Sequence, residues 1–341
     1  MLLVKYKKLF FPFTVILFLL LACSSGDSDS NDGESYEWKV GFNTVEDSIR
    51  GEAAKTFKKT IEEESEGDIS VELFPNEELG SDNEMVESVQ VGALDFQLSS
   101  SGVLAEIMPE YLFTDLPFIF ENDDEAHAVL DGPYGDTLKE ISTDEGIKML
   151  NTFSIGFSQI TTNEKPVEKP EDLEGVSMRS PDEPIAIDTF ETLKSQVTTL
   201  PLTELYLALE QGTVDGQFNP LTAINDSKFY EVQNYLAVAD INFYHAPFIM
   251  NQDLFEGLDE ETQQLVQDAA DEATEVAREV AAETESEMLD DIEDEFEEVT
   301  EPDKEEFQDL LEPVYDSYEE EIGKDVMEEA TNTLEEYRSD N

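Results

Sequence analysis

One cysteine, two histidines and one tryptophan are spread over 341 residues. With Cys23 as the sole thiol there is neither a disulfide framework nor a cysteine-based metal centre. Two distant histidines, His127 and His245, leave no material for an ordinary zinc site. Cations are also scarce: 19 Lys and Arg stand against 83 Asp and Glu, for a net charge of −64. Phosphate binding needs clustered Lys and Arg, so nucleic acid is excluded as a partner. The chain has no Gly-x-Ser-x-Gly elbow, phosphate loop, His-Glu-x-x-His pair or nucleophilic cysteine. Paired carboxylates are everywhere, and in so acidic a chain their pairing carries no information. What remains is a binding protein rather than an enzyme, with no cofactor and no metal.

The one long apolar run, residues 9–22, follows Lys5, Lys7 and Lys8. It is shorter than the roughly 20 residues that span a bilayer, so it reads as a signal peptide over residues 1–22. It ends in Leu20-Leu21-Ala22-Cys23, which resembles a lipoprotein box with Cys23 as the lipidated residue. Residues 23–35 are rich in Ser, Gly, Asp and Asn and form a flexible tether. The expected location is extracytoplasmic, on the outer face of the cytoplasmic membrane.

Against this background a lone Arg behind an apolar run stands out: Arg179 in Gly175-Val176-Ser177-Met178-Arg179-Ser180-Pro181. Forty residues on, Asn219 lies in Val214-Asp215-Gly216-Gln217-Phe218-Asn219-Pro220. Guanidinium is the donor fork that matches a carboxylate, and Asn adds a neutral donor. Spacing alone leaves open a plain ion pair with an acidic neighbour.

The hydrophobic period switches repeatedly between two and about 3.6, the pattern of an α/β protein. Strands are predicted at residues 38–43, 69–74, 94–98, 146–154 and 196–200. One helix carries Ala53, Ala54, Phe57 and Ile61, and the next carries Met85, Val86 and Val89 and stops at Gly92. Further helices are predicted at 183–194 and at 203–211, the latter capped by Thr203. Ser99-Ser100-Ser101-Gly102 reads as a polar loop. Asp215-Gly216 reads as the turn that aims Asn219, with Asp215 architectural. His245 reads as a core histidine, and the chain crosses between halves near 156 and again after Tyr235.

The Arg179 and Asn219 segments resemble the solute-binding proteins of tripartite ATP-independent periplasmic (TRAP) transporters, the dicarboxylate-binding-protein family. So do Leu79-Gly80-Ser81-Asp82-Asn83-Glu84-Met85-Val86-Glu87-Ser88-Val89-Gln90, Asp115-Leu116-Pro117-Phe118-Ile119-Phe120, Lys169-Pro170-Glu171-Asp172-Leu173-Glu174-Gly175 and Lys228-Phe229-Tyr230-Glu231-Val232-Gln233. Together they cover roughly residues 36 to 255. The resemblance implies a two-lobed α/β clamp with a long bracing helix and acidic C-terminal helices. Lobe I is expected over 36–155 and 245–282, and lobe II over 156–244 and 283–341. It also implies a monomer that delivers a small organic acid to a membrane permease; a sensor subunit for a membrane kinase would use the same clamp.

Where many members of that family carry Arg, this chain has Ser158, which weighs against two strongly bound carboxylates. Leu202 stands where they present Phe or Trp, which weighs against a flat or cationic ring. Phe218 replaces a common acidic residue and is either an aromatic wall or core. Thr44, at the end of the first strand, and Tyr244, near the second crossing, complete the expected ligand site. A monocarboxylate such as a hydroxy or keto acid is favoured; the alternatives are a C4-dicarboxylate or an ectoine-like zwitterion.

Residues 259–340 hold 34 acidic and four basic residues on helical spacing, a string of amphipathic helices with an acidic outer face. Asp290-Asp291-Ile292-Glu293-Asp294-Glu295 lacks the glycine of a calcium loop and reads as a solvated face. Disorder is opposed by 39% hydrophobic residues, including 21 Phe. The composition fits a halophile protein, since brine screens the self-repulsion.

Overall fold

The structure, a computed structural model, describes residues 36–340. The predicted signal peptide, Cys23 and the tether lie outside the described residues. The first strand, β1 (Tyr36–Phe42), alternates so that Trp38, Val40 and Phe42 are buried. Helix α1 (Ile49–Glu64) starts where the Ser48 hydroxyl accepts from Gly51 N, and it buries Ala53, Ala54, Phe57 and Ile61 as the spacing predicts. It returns the chain to β2 (Ile69–Phe74), parallel to β1. A Ser81/Glu84 capping box opens α2 (Asp82–Gln90). Gly92, at φ +71°, ends it.

After β3 (Phe96–Leu98) the expected polar loop is instead structured. Ser99, Ser100 and Ser101 are buried, and Ser101 opens the one-turn helix α3 (Ser101–Leu104). The chain continues through a 3-10 turn (Pro109–Asp115), α4 (Asp123–Leu130) and α5 (Pro133–Asp144). The strand predicted at 146–154 does not stop before the expected crossing near 156 but runs on through it as β4 (Ile147–Thr162). Next come β5 (Ser177–Ser180), α6 (Pro184–Thr192), β6 (Gln196–Thr199) and α7 (Leu202–Glu210). Thr203 does not cap α7. The helix begins one residue earlier, after Pro201, and the Thr203 hydroxyl donates to Glu77. Strand β7 (Gly216–Pro220), α8 (Leu221–Asp226), β8 (Tyr235–Ala237) and β9 (Phe243–Asn251) precede α9 (Gln252–Gly257) and the 33-residue α10 (Glu260–Ile292). The chain closes with β10 (Glu298–Thr300), α11 (Lys304–Ile322) and α12 (Lys324–Asp340).

The main strand order is β2-β1-β3-β9-β4-β7-β5-β6, with β8 joining β4 to β10. Strand β4 connects the two ends of this array: residues from Ile147 to Phe157 pair with β9, and Ser158 to Thr162 pair with β7. The β4–β9 ladder slips twice, between Met149 and Asn151 and again between Ser154 and Gly156.

Small residues govern how α10 sits. Ala269, Ala270, Ala273, Ala277 and Ala281 recur at helical spacing and are buried, in one core with Phe57, Phe96 and Phe248. Truncating Phe57 there would cost about 3–5 kcal/mol. Helix α10 packs on α1, β4 and α8. Helix α12 is fastened to α4 by a forked pair, Arg338 Nε and Nη2 donating to Glu125 at 2.8 and 2.7 Å. Tyr318 of α11 donates to Asp188 of α6 at 2.7 Å.

Candidate functional site

Arg179 lies on β5 with a side chain that is buried. Its Nε and Nη2 donate to Leu200 O at 3.0 and 2.7 Å, so the turn from β6 to α7 fixes the guanidinium. Burial lowers its pKa, opposed by Tyr244, Glu183 and Glu77. It stays cationic at any physiological pH.

The guanidinium lines a cavity of about 180 Å³ together with Asn43, Asp82, Glu183, Asn219 and Tyr244, among others. Four predicted site residues therefore meet there: Arg179, Asn219, Leu202 and Tyr244. Three do not line it. Thr44 bonds Ser48 Oγ at 2.6 Å near the start of α1. Ser158 is wholly buried opposite Pro220 in the β4–β7 ladder, its hydroxyl without a partner. Phe218 packs on Phe190, ring centroids 4.6 Å apart, and lines a second, smaller chamber. A larger groove of about 800 Å³ runs over α1, β1 and β2. Its Lys55 and Lys58 are paired with Asp47, Glu52 and Glu62, and its Lys39 and Lys59 share the groove with Glu37, Glu63 and Glu72, whereas Arg179 is buried with its guanidinium fixed by a backbone carbonyl.

Two features of the cavity were not legible in the sequence. The first is Glu183, just before α6. Its Oε1 accepts from Tyr244 at 2.9 Å. Burial pushes its carboxyl up to about 7, although Tyr244 and Arg179 pull it down. The backbone at Gly102 gives it room, since a Cβ there would lie 2.6 Å from Glu183 Cδ. The second is Asp82, whose carboxylate accepts from Asn43 at 3.1 Å, Gln97 at 2.6 Å and Ser100 N at 3.1 Å. Burial raises its pKa, and Arg50 together with those hydrogen bonds opposes the rise. Arg50 itself donates to Ser99 O and Ser100 Oγ and stands 5.9 Å from the centre of the Tyr244 ring. In a chain with 83 acidic residues, neither carboxylate had any contrast against its background.

Asn219 heads a relay, donating to Gln217, whose amide donates to Thr161 at 2.9 Å; Thr161 in turn donates to Gln233 at 2.9 Å. Glu77, raised by burial, accepts from Thr203 and so links the segment before α2 to α7. The wall thus combines one guanidinium, amide and hydroxyl groups, and several carboxylates. Such a set binds and orients a small polar acid.

Residues 40–321 match the family described as bacterial extracellular solute-binding protein, family 7. The chain is 30% identical over 274 residues to the 2,3-diketo-L-gulonate-binding periplasmic protein YiaO of Escherichia coli (strain K12), covering 80% of this chain and 84% of that one. It is 30% identical over 296 residues to the C4-dicarboxylate-binding protein DctB of Bacillus subtilis (strain 168), covering 86% and 85%. The sugar acid binding protein DctPAm of Advenella mimigardefordensis, solved in complex with galactonate, aligns with a TM-score of 0.85 and 29% identity, over 89% of this chain and 99% of that one.

Proposed function

Because the chain belongs to the bacterial extracellular solute-binding proteins of family 7, we propose that it is the receptor of a TRAP transporter, taking a small monocarboxylate and delivering it to the membrane permease. The observation that carries this reading is the buried Arg179, held by Leu200 O and lining a cavity of a small organic acid's size. Preference for one strongly bound carboxylate rests on Arg179 being the only cation among the described residues that line the cavity. The names of YiaO and DctPAm, which cite acids with one carboxylate, agree with it; that of DctB cites dicarboxylates.

The receptor works as a monomer, held to the outer face of the cytoplasmic membrane by lipid on Cys23, in a saline medium. The slip in the β4–β9 ladder beside Ile155 supports lobe boundaries at 155/156 and 244/245. Helix α12, which packs on α4 and α5, acts as a strap of the later segment across that boundary. Mass spectrometry of the compound retained through native purification tests the reading. A monocarboxylate recovered unchanged supports it; a dicarboxylate removes the preference, and a chemically converted product removes the receptor role.

A further inference from the structure

Glu77 lines the main cavity and reaches from one end of the strand array to the other. It lies in the turn between β2 and α2, at the β1–β3 end, whereas its partner Thr203 lies on α7, between β6 and β7 at the opposite end. The turn that presents Glu77 is fixed to the end of β1: Asn76 N donates to Thr44 O at 2.9 Å and Glu77 N to Phe42 O at 3.2 Å. Asn76 and Glu77 take φ values of +54° and +56°, a left-handed conformation that non-glycine residues seldom adopt and that persists where the surroundings impose it.

Helix α7 lacks a cap of its own. Its N-cap residue is Pro201, which has no side-chain acceptor to offer the N–H groups of the first turn. Thr203 gives its hydroxyl to Glu77, and its backbone N–H acts on the same carboxylate. A carboxylate in this place also meets the positive end of the helix dipole. Glu77 therefore does for α7, from across the cavity, what Ser48 and Ser81 do locally for α1 and α2.

Other groups that meet across the same divide repel. Burial pushes Asp226, at the end of α8, up to about 6, and Asp47, before α1, adds to the rise. Burial likewise raises Glu106, after α3, and Asp182, before α6, adds to it. Like charges brought together from two halves oppose their approach, so closure needs an attractive contact, and Glu77 with Thr203 supplies one. A flexing point is also present. Strand β4 pairs with both ends of the array, slips in register between Ser154 and Gly156, and holds Gly156 at φ +111°.

We infer that Glu77 is a latch: by capping α7 from the opposite end of the array it holds the cleft shut, and its release opens the cavity to admit or discharge the ligand. The latch goes beyond the receptor reading and does not depend on which acid is bound.

The test is amide hydrogen exchange read by mass spectrometry on the mature protein, without ligand, in molar KCl. Two segments report separately. Residues 202–206 form the first turn of α7; residues 99–104 lie across the cavity, with Ser100 and Val103 on its wall and Gly102 against Glu183. E77A should speed exchange in both segments by roughly 10- to 100-fold, the worth of a charge-assisted contact. T203V keeps the backbone N–H but loses the hydroxyl, and should speed both by less. The double variant should exchange no faster than E77A. Strand β9, buried along its whole length, is the reference and should not change. Acceleration confined to residues 202–206 would make Glu77 a local cap and overturn the latch. Acceleration that reaches β9 equally, or none in either single variant, would overturn it as well.

Discussion

Two nitrogens of Arg179 converge on one atom, Leu200 O, at 3.0 and 2.7 Å. The carbonyl belongs to the turn that carries Leu202 into the cavity, so the anion anchor and the apolar wall are set by the same turn. In this chain the fork is therefore pre-organised by the backbone rather than by an acidic side chain, which would have competed with the ligand's carboxylate.

It follows that Arg179→Lys, which keeps the charge but loses the fork, should weaken ligand binding, and Arg179→Ala should weaken it more, by about 3 kcal/mol. Both variants should still fold, with lower melting temperatures because Leu200 O loses its donors. Calorimetry on R179A showing wild-type affinity for the retained compound would remove Arg179 as the anchor.

Ser158 gives the second prediction. It sits one residue before Gln159, the ladder partner of Asn219, and its hydroxyl is buried without a hydrogen bond. Ser158→Arg should add a cation beside the cavity and favour a dicarboxylate over a matched monocarboxylate, succinate against butyrate. If that ratio stays unchanged by titration calorimetry, the position does not reach the ligand.

Much of this fold was legible because its periodicities are strong. Trp38, Val40 and Phe42 alternate, and Ala53, Phe57 and Ile61 recur every three to four residues, so β1, α1 and β2 fall where expected. Local chemistry misled where tertiary contacts outweighed it. Three serines before Gly102 look like a loop, yet Ser100 and Ser101 are engaged by Asp82 and Asp115, which allows them to be buried. Thr203 looks like a cap, yet its hydroxyl is taken by Glu77. In the site, Arg179 was visible because cations are scarce, and Glu183 and Asp82 were invisible because carboxylates are not.

His245 provides a prediction about pH. Its ring stacks between Tyr111 and Phe243, centroids 5.6 and 5.5 Å away, with Nε2 2.9 Å from Thr114 Oγ1. That hydroxyl already donates to Tyr111 O, so Nε2 carries the proton and Nδ1 is left unpartnered. Burial pushes the imidazole down to about 3. Below the unfolded value near 6.5 the unfolded chain takes up a proton that the native state refuses. Stability is thus lost as pH falls from about 6.5 toward 3, at about 1.4 kcal/mol per unit. Glu183, with its raised pKa, works in the opposite sense between about 4.5 and 7 and is common to both proteins compared. His245→Gln should be less stable at pH 7, having lost the stacked ring, but its melting temperature should fall less steeply from pH 7 to 5. Parallel acid limbs would show that His245 is not the group responsible.

Salt separates the field of the whole surface from the chemistry of the site. With 83 Asp and Glu against 19 Lys and Arg, most carboxylates have no cation to pair with. Residues 259–340, most of them in α10 to α12, hold 34 of those acids. In dilute buffer they repel one another across the compact body. The Debye length is about 10 Å at 0.1 M and about 3 Å at 1 M, so molar KCl should silence all but adjacent pairs. Melting temperature should therefore rise steadily across roughly 0.1 to 3 M KCl, a range set by those lengths. Affinity for an anionic or zwitterionic acid should respond differently. A pure anion is repelled by the whole surface, so its binding should first strengthen with salt, because long-range repulsion is screened before the buried Arg179 contact is. A zwitterion has no net charge for that field to act on, and its affinity should change little over the same series. Thermal melts and titrations in parallel read both responses. A melting temperature flat across the series would sink the brine reading, and a flat affinity for a ligand known to be a simple anion would show that the surface field does not reach the cavity.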